Sequence, residues 1–185
     1  MFRKALALLL ALMLTTGVLT AGICENENCF VPYLVADAFN RGLAFSVTKF
    51  YESDEDRQSQ ALDDYSVHYT EAQGDYVYYN SRDWAVEISG YFEGTKPDID
   101  APAHSITFSI PSSFDETIKA LMQMSLSIAI LAIDEKAELS EIQSLVDLAY
   151  EGWTEGPQTL DRNGYQLTAF SHEGRNYFAI LQSES

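Results

Sequence analysis

The spacing of apolar positions along the chain changes several times, and each change marks an element. Along 31–46, VPYLVADAFNRGLAFS, residues Leu34, Val35, Ala38, Phe39 and Leu43 recur at intervals of three and four. That spacing builds one apolar stripe on a helix, and Pro32 suits its first turn. Gly42 lies within the helix and weakens it by about 1 kcal/mol relative to Ala, which predicts a close neighbour there. Residues 52–64, ESDEDRQSQALDD, are polar and acidic and read as a connecting loop with at most one helical turn.

From Tyr65 the period becomes two. Tyr65, Val67 and Tyr69 alternate with Ser66, His68 and Thr70, and Tyr76 to Tyr79 follow Ala72-Gln73-Gly74. A three-residue loop ending in Gly predicts a hairpin in which Glu71 faces Asp75. Val67 and Tyr69 then face Tyr79 and Val77 on the core side, and Tyr76 and Tyr78 share the outer side with His68 and Thr70. The like charges facing each other at the turn count against this register. Asn80-Ser81-Arg82-Asp83 carries turn chemistry. Trp84, Val86 and Ile88 predict a third strand. After a loop at 93–103, Ile106, Phe108 and Ile110 predict a fourth.

Ser113-x-x-Glu116 reads as a capping box opening a helix over 114–133. Residues 120–133 are uncharged, which predicts a helix buried on most sides yet too short to span a bilayer. A second helix is predicted over 138–150, with Leu139, Ile142, Leu145, Val146 and Ala149 inward and Gly152, Gly156 and Pro157 ending it. Strands at 164–170 and 176–182 follow, joined by His172-Glu173-Gly174. The order α-ββββ-αα-ββ predicts an α+β fold: a mostly antiparallel sheet of about six strands with helices packed on one face. Tyr65-x-Val67 with Gly74 recurs as Tyr165-x-Leu167 with Gly174. Either a duplicated unit or two hairpins of one sheet with the same turn chemistry would produce that echo.

The first residues follow a different logic. Arg3 and Lys4 precede the apolar run ALALLLALMLTTGVL at 5–19, and Thr20-Ala21-Gly22 supplies small residues for cleavage after Gly22. Residues 1–22 therefore read as a secretory signal peptide. Two other fates fit less well. Residues 5–23 are uncharged and just long enough for an uncleaved anchor. Cys24 stands where a lipidated cysteine would, but Ile23 precedes it where a small residue is wanted. The expected division is a signal peptide at 1–22, an N-terminal segment at 23–30 and a single α+β domain at 31–185. In an oxidising compartment Cys24 and Cys29 would close a small disulfide loop worth roughly 2 kcal/mol. Their four intervening residues do not match a two-residue redox motif.

Composition narrows the partners. The chain has 185 residues, 11 Lys+Arg against 28 Asp+Glu, and a net charge of −17. Its 11 Tyr, 10 Phe and 2 Trp exclude disorder for the bulk of it. The acidic balance excludes nucleic acid, whose phosphates need clustered Lys and Arg. Membrane contact is expected only through the N-terminal segment, if it is uncleaved or lipidated, and the domain is expected to be a monomer.

Catalytic motifs are missing. There is no G-x-S-x-G, no H-E-x-x-H and no Gly-rich phosphate loop. His68, His104 and His172 lie far apart in sequence. The acidic runs Asp54-Glu55-Asp56, Asp63-Asp64 and Asp98-x-Asp100 do not follow the spacing of an EF-hand. No cofactor, metal site or catalytic residue is expected. The local oddity is aromatic density: Tyr65, Tyr69, Tyr76, Tyr78, Tyr79, Trp84, Tyr91 and Phe92 fall within 28 positions. Tyrosines on an uncovered sheet face could stack on sugars or receive a peptide, or could simply pack across strands. The candidate ligand-binding residues are Tyr76, Tyr78 and His68. The general look is similar to small exported bacterial proteins. The function expected is a non-catalytic, secreted or cell-surface binding domain for a protein, peptide or glycan. The alternative is an extracytoplasmic hydrolase with an active site assembled from distant residues.

Overall fold

A computed structural model describes residues 30–134, 137–138, 141–142, 144–146, 148, 155–162 and 164–182. The expected signal peptide, the Cys24 and Cys29 pair and much of the helix expected over 138–150 lie outside the described residues. In the described part of that helix, Ile142, Leu145 and Val146 are buried as the pattern predicts.

Seven strands form one sheet: β1 (His68–Gln73), β2 (Tyr76–Asn80), β3 (Glu87–Tyr91), β4 (Ser105–Pro111), β5 (Gln158–Arg162), β6 (Tyr165–His172) and β7 (Arg175–Gln182). Their spatial order is β1-β2-β3-β4-β7-β6-β5. Every neighbouring pair is antiparallel. The fold is α+β, with helices packed against this sheet. The strand that patterning misses is β5. Gly156 and Pro157 suggest a loop, but Leu160 pairs with Leu167 and brings the edge strand onto the sheet.

Helix α1 (Pro32–Tyr51) has Pro in its first turn and buries Val35, Ala38, Phe39, Leu43 and Val47. It lies beside α3 (Glu116–Ile133), thirteen of whose 18 residues are buried. The length and hydropathy of α3 would pass for a membrane span, yet the helix is sheathed by protein. Gly42 marks the crossing. A Cβ there would lie 2.7 Å from Ile128 Cδ1 and 3.1 Å from the Ser125 Cα. The helices approach through small residues at Ala38, Gly42 and Ser46, and the Ser46 hydroxyl bonds back to the Gly42 carbonyl at 2.7 Å.

Several local expectations change. The acidic 52–64 segment is mostly helix α2 (Glu55–Tyr65), capped by Asp54, whose side chain accepts from the Arg57 N–H. Acids in a first turn favour the helix dipole, so the run that reads as a loop begins a helix. The cap of α3 is Asp115, which accepts from the Ile118 N–H at 2.9 Å, rather than Ser113. Trp84 belongs to a 3₁₀ turn (Arg82–Trp84), not to a strand. Tyr65 ends α2 while Tyr165 lies in β6, so their sequence echo is not a structural repeat.

The first hairpin is also corrected. Its turn is two residues, Gly74-Asp75, so that Gln73 faces Tyr76 and Tyr69 faces Tyr79. Gly74 has φ 59°, and a two-residue turn with Gly first matches strand twist better than a three-residue loop. A bulge between Tyr69 and Glu71 absorbs the extra residue. Glu71 thereby faces Tyr78 instead of Asp75, which relieves the like-charge pair. Tyr69 was expected in the core but is 51% exposed, resting edge-on against Tyr79. The cause is its edge position: no residue of β1 is buried.

Candidate functional site: the open face of the sheet

Alternation decides which face the helices cover. Val77, Tyr79, Ile88, Ile106, Phe108, Leu167, Phe178 and Ile180 point to the core and are buried. The intervening residues make the opposite face, and the register sets them in rows. One row runs Tyr76, Tyr91, Ser105, Leu181, Gln166, Asp161. The next runs Glu71, Tyr78, Ser89, Thr107, Ala179, Thr168, Thr159. A third runs Asn80, Glu87, Ser109, Tyr177, Phe170. Six strand spacings make this face about 29 Å across.

Aromatic groups cluster on both halves. Tyr76 and Tyr78 stack with centroids 5.9 Å apart, and Tyr91 lies 5.0 Å from Tyr76. On the far half Phe170 and Tyr177 are stacked at 5.0 Å and 10°. Between them Ser105, Thr107, Ala179 and Thr168 form a band of small, half-buried side chains, whereas Ser109 next to them is buried with its hydroxyl accepting from Arg175. Tyr76 is 40% exposed. Burial, with help from Glu87, Tyr76 and Glu71, pushes the Tyr78 phenol above its ordinary range.

The third row ends at the β2–β3 connection. Asn80 is only 8% exposed, and its Oδ1 is buried without a partner. Asn80 Nδ2 donates to the Thr70 hydroxyl, and that hydroxyl to the His68 carbonyl, both at 3.3 Å. Burial raises the Glu87 carboxyl above the usual range, and Arg175 partly offsets this. The Arg175 guanidinium forms a clip: Nε donates to Ser109 Oγ at 2.6 Å, Nη2 to the Ser109 carbonyl at 3.0 Å and Nη1 to the Trp84 carbonyl at 3.2 Å.

The sequence-derived residues are only partly united. Tyr76 and Tyr78 are together on the outer face. His68 faces Asn80, two rows from Tyr76, and is exposed. The three histidines do not converge. His68 on β1 and His172 on β6 are five strand spacings apart, about 24 Å, and His104 precedes β4 at the opposite strand end. His104 and His172 approach Glu93 and Glu173 at 3.9 and 3.6 Å in exposed turns. The acidic runs have structural roles: Asp54 caps α2, and Asp98 accepts from the Asp100 N–H at 3.0 Å. Among the described residues no three His, Cys, Asp or Glu are grouped to hold a metal.

Patterning missed Phe170, Tyr177, Asn80, Glu87 and Arg175, and named Tyr91 only as one of the dense run of aromatics. The alternation along β4 and β7 carried the signal for one open face, but strand order alone brings the two aromatic groups onto the same surface.

Core-side Tyr79 supplies a test of burial at this end of the sheet. Its hydroxyl is buried without a partner, and burial pushes its pKa up to about 12. The raised value means full stability below the unfolded-state pKa of about 10, lost progressively as pH rises through the folded value. Tyr79→Phe is expected to raise stability by about 1 kcal/mol at neutral pH and to flatten this alkaline decline. Urea titrations of both proteins between pH 8 and 12 measure the two effects, and a loss of stability at neutral pH would contradict the unpaired hydroxyl. No protein-family model, curated protein or solved structure matches the chain.

Proposed function

We propose that the chain is an exported, non-catalytic binding module that holds a neutral, hydroxyl-rich ligand, an oligosaccharide, on the open face of its sheet. The observation that carries this reading is the pair of aromatic groups flanking a band of small, mostly hydroxyl-bearing side chains. Aromatic faces receive the apolar faces of sugar rings, and Ser and Thr exchange hydrogen bonds with sugar hydroxyls. The outward positions carry few charges in a chain of net charge −17, which suits a neutral ligand better than an ionic one. Export is supported by the Arg3-Lys4, apolar and small-residue succession.

Two measurements test the reading. In the first, Tyr76→Ala with Tyr78→Ala keeps the fold, since an outer-face cross-strand pair contributes only about 0.2–1 kcal/mol. Affinity for the neutral oligosaccharides retained on a glycan array falls by about 2 kcal/mol, roughly thirtyfold. Unchanged affinity removes these tyrosines from the site. In the second, the N-terminus of the native secreted protein is sequenced. It is expected at Ile23, a start at Met1 would refute cleavage, and a lipid on Cys24 would indicate the anchored form.

A further inference from the structure

The two aromatic groups on the open face contain cross-strand pairs of the same make. Tyr76 and Tyr91 stand opposite each other on β2 and β3, and Tyr177 and Phe170 on β7 and β6. In each pair the ring centroids are 5.0 Å apart. That is close to the spacing of the strands themselves, about 4.8 Å, so each ring stands over its own strand and the register locates it. Tyr91 belongs to the first row and Tyr177 to the third, with only β4 between their strands. Two strand spacings across and four residues along put Tyr177 about 17 Å from Tyr91, and about 20 Å from the more exposed Tyr76. Each pair has a small residue on its β4 side, Ser105 beside Tyr91 and Ser109 beside Tyr177. The diagonal between the pairs crosses β4 at Thr107, in the middle row. The Ser109 hydroxyl is taken by Arg175, and Thr159 and Thr168 share theirs. Half-buried Thr107 has a hydroxyl bonded to no other residue among those described.

We propose that these two pairs are the ends of one elongated site, which selects oligosaccharides of roughly four or more rings lying diagonally across β4. This deepens the oligosaccharide reading and rests on it. An extended pyranose chain advances by about 5 Å per ring, close to the strand spacing, so a chain with its first ring on Tyr76 or Tyr91 reaches Tyr177 with its fourth or fifth. The rings in between pass over Thr107, whose hydroxyl bonds to theirs. A disaccharide is too short to touch both pairs, so it stacks on one and gains only that contact. A longer chain makes the second contact intramolecularly, at a high effective concentration, and its affinity exceeds that of either end alone. The separation of the pairs therefore sets a threshold of length rather than a steady gain per ring.

The experiment is calorimetric titration with disaccharide-to-hexasaccharide ladders of β-1,4-linked glucose, mannose and N-acetylglucosamine. Affinity is expected to rise about tenfold or more between the trisaccharide and the pentasaccharide, and little on either side of that step. Phe170→Leu with Tyr177→Leu removes one pair of rings and keeps apolar bulk. It is expected to lower pentasaccharide affinity about tenfold, to near the disaccharide value, and disaccharide affinity by no more than about half, since the other pair remains. Thr107→Val is expected to weaken the pentasaccharide about threefold or more and to leave the disaccharide unchanged. Circular dichroism melts check that each variant is folded, and Tyr177→Leu alone replaces the double variant if that one is not. Equal wild-type affinity for disaccharide and pentasaccharide would overturn the elongated site and leave the oligosaccharide reading standing on one pair of rings. So would wild-type pentasaccharide affinity after loss of the Phe170 and Tyr177 rings. An unchanged pentasaccharide affinity in Thr107→Val would overturn the path across β4. A wild-type protein that binds no member of any ladder would overturn both the site and the reading beneath it.

Discussion

Leu126→Asp is expected to unfold the domain. Leu126 lies on α3, 4% exposed. It lines a void of about 10 Å³ with Phe39, Phe108, Ile110, Met122, Asn176 and Phe178. That space is at the lower limit for one water molecule, so a carboxylate there has no room for hydration. None of these neighbours, six of them including Asn176, carries a counter-charge. Burying it costs about 4 kcal/mol or more, most of the 5–15 kcal/mol that holds a typical domain together. The control on the same helix is Thr117→Asp. Thr117 is exposed in the first turn, where an acid favours the helix dipole, and stability there stays within about 0.5 kcal/mol of wild type. Urea denaturation followed by circular dichroism compares the two, and equal midpoints would contradict the burial of α3.

Asp134→Ala is expected to produce the second-largest loss, about 3 kcal/mol. The carboxylate follows the last turn of α3 and ties it to the far half of the sheet. Its Oδ2 accepts from the Tyr165 hydroxyl at 2.6 Å and from Arg162 Nη2 at 3.0 Å. Arg162 Nη2 also reaches Glu141 at 3.1 Å. Burial alone would lower the Arg162 guanidinium, but its bonds to Glu141 and Asp134 outweigh this and raise it. Burial raises the Tyr165 phenol, and the Asp134 bond adds to the rise. Removing the carboxylate strands the hydroxyl of a residue only 1% exposed. Asp134→Asn keeps an acceptor for Tyr165 and loses less, about 1–2 kcal/mol. Equal losses in the two variants, measured in urea, would show that the hydroxyl bond contributes nothing.

The architecture was legible where periodicity is strict and a single face must be dry. Ile106, Phe108 and Ile110 in β4, and the uncharged run in α3, leave little choice of face, because misplacing them exposes several large apolar side chains together. Gly42 announced its close contact because its cost to the helix needs an offsetting gain in packing. Legibility failed where polar residues carry the element. Helix α2 has one buried residue, Ala61, so its periodicity is faint and its caps and first-turn acids hold the information. The first hairpin failed because Tyr serves equally well on either face of a strand, and one bulge at Thr70 changes which residues meet.

The candidate site was less visible still. Tyr76, Tyr78 and Tyr91 stood out by local density, but the pairing of Tyr91 with Tyr76, and the placing of Tyr177 and Phe170 on the same face, came only from the strand register. Asn80, Glu87 and Arg175 are ordinary turn and strand residues in the sequence. Their chemistry arises from the pairing of Asn80 with Glu87 and from a guanidinium reaching 66 positions back to Ser109.

By itself, the sequence determined the class of fold, the inward face of the central strands, the dry helix and the acidic balance, since each follows from local spacing or from a sum over residues. Only the tertiary structure decided the placing of β7 beside β4, and hence the union of two aromatic groups on one open face. It also decided the desolvation of Asn80 and Glu87. Those outcomes depend on contacts between residues distant in the chain, and the free energy of such contacts is not written in the neighbourhood of any single residue.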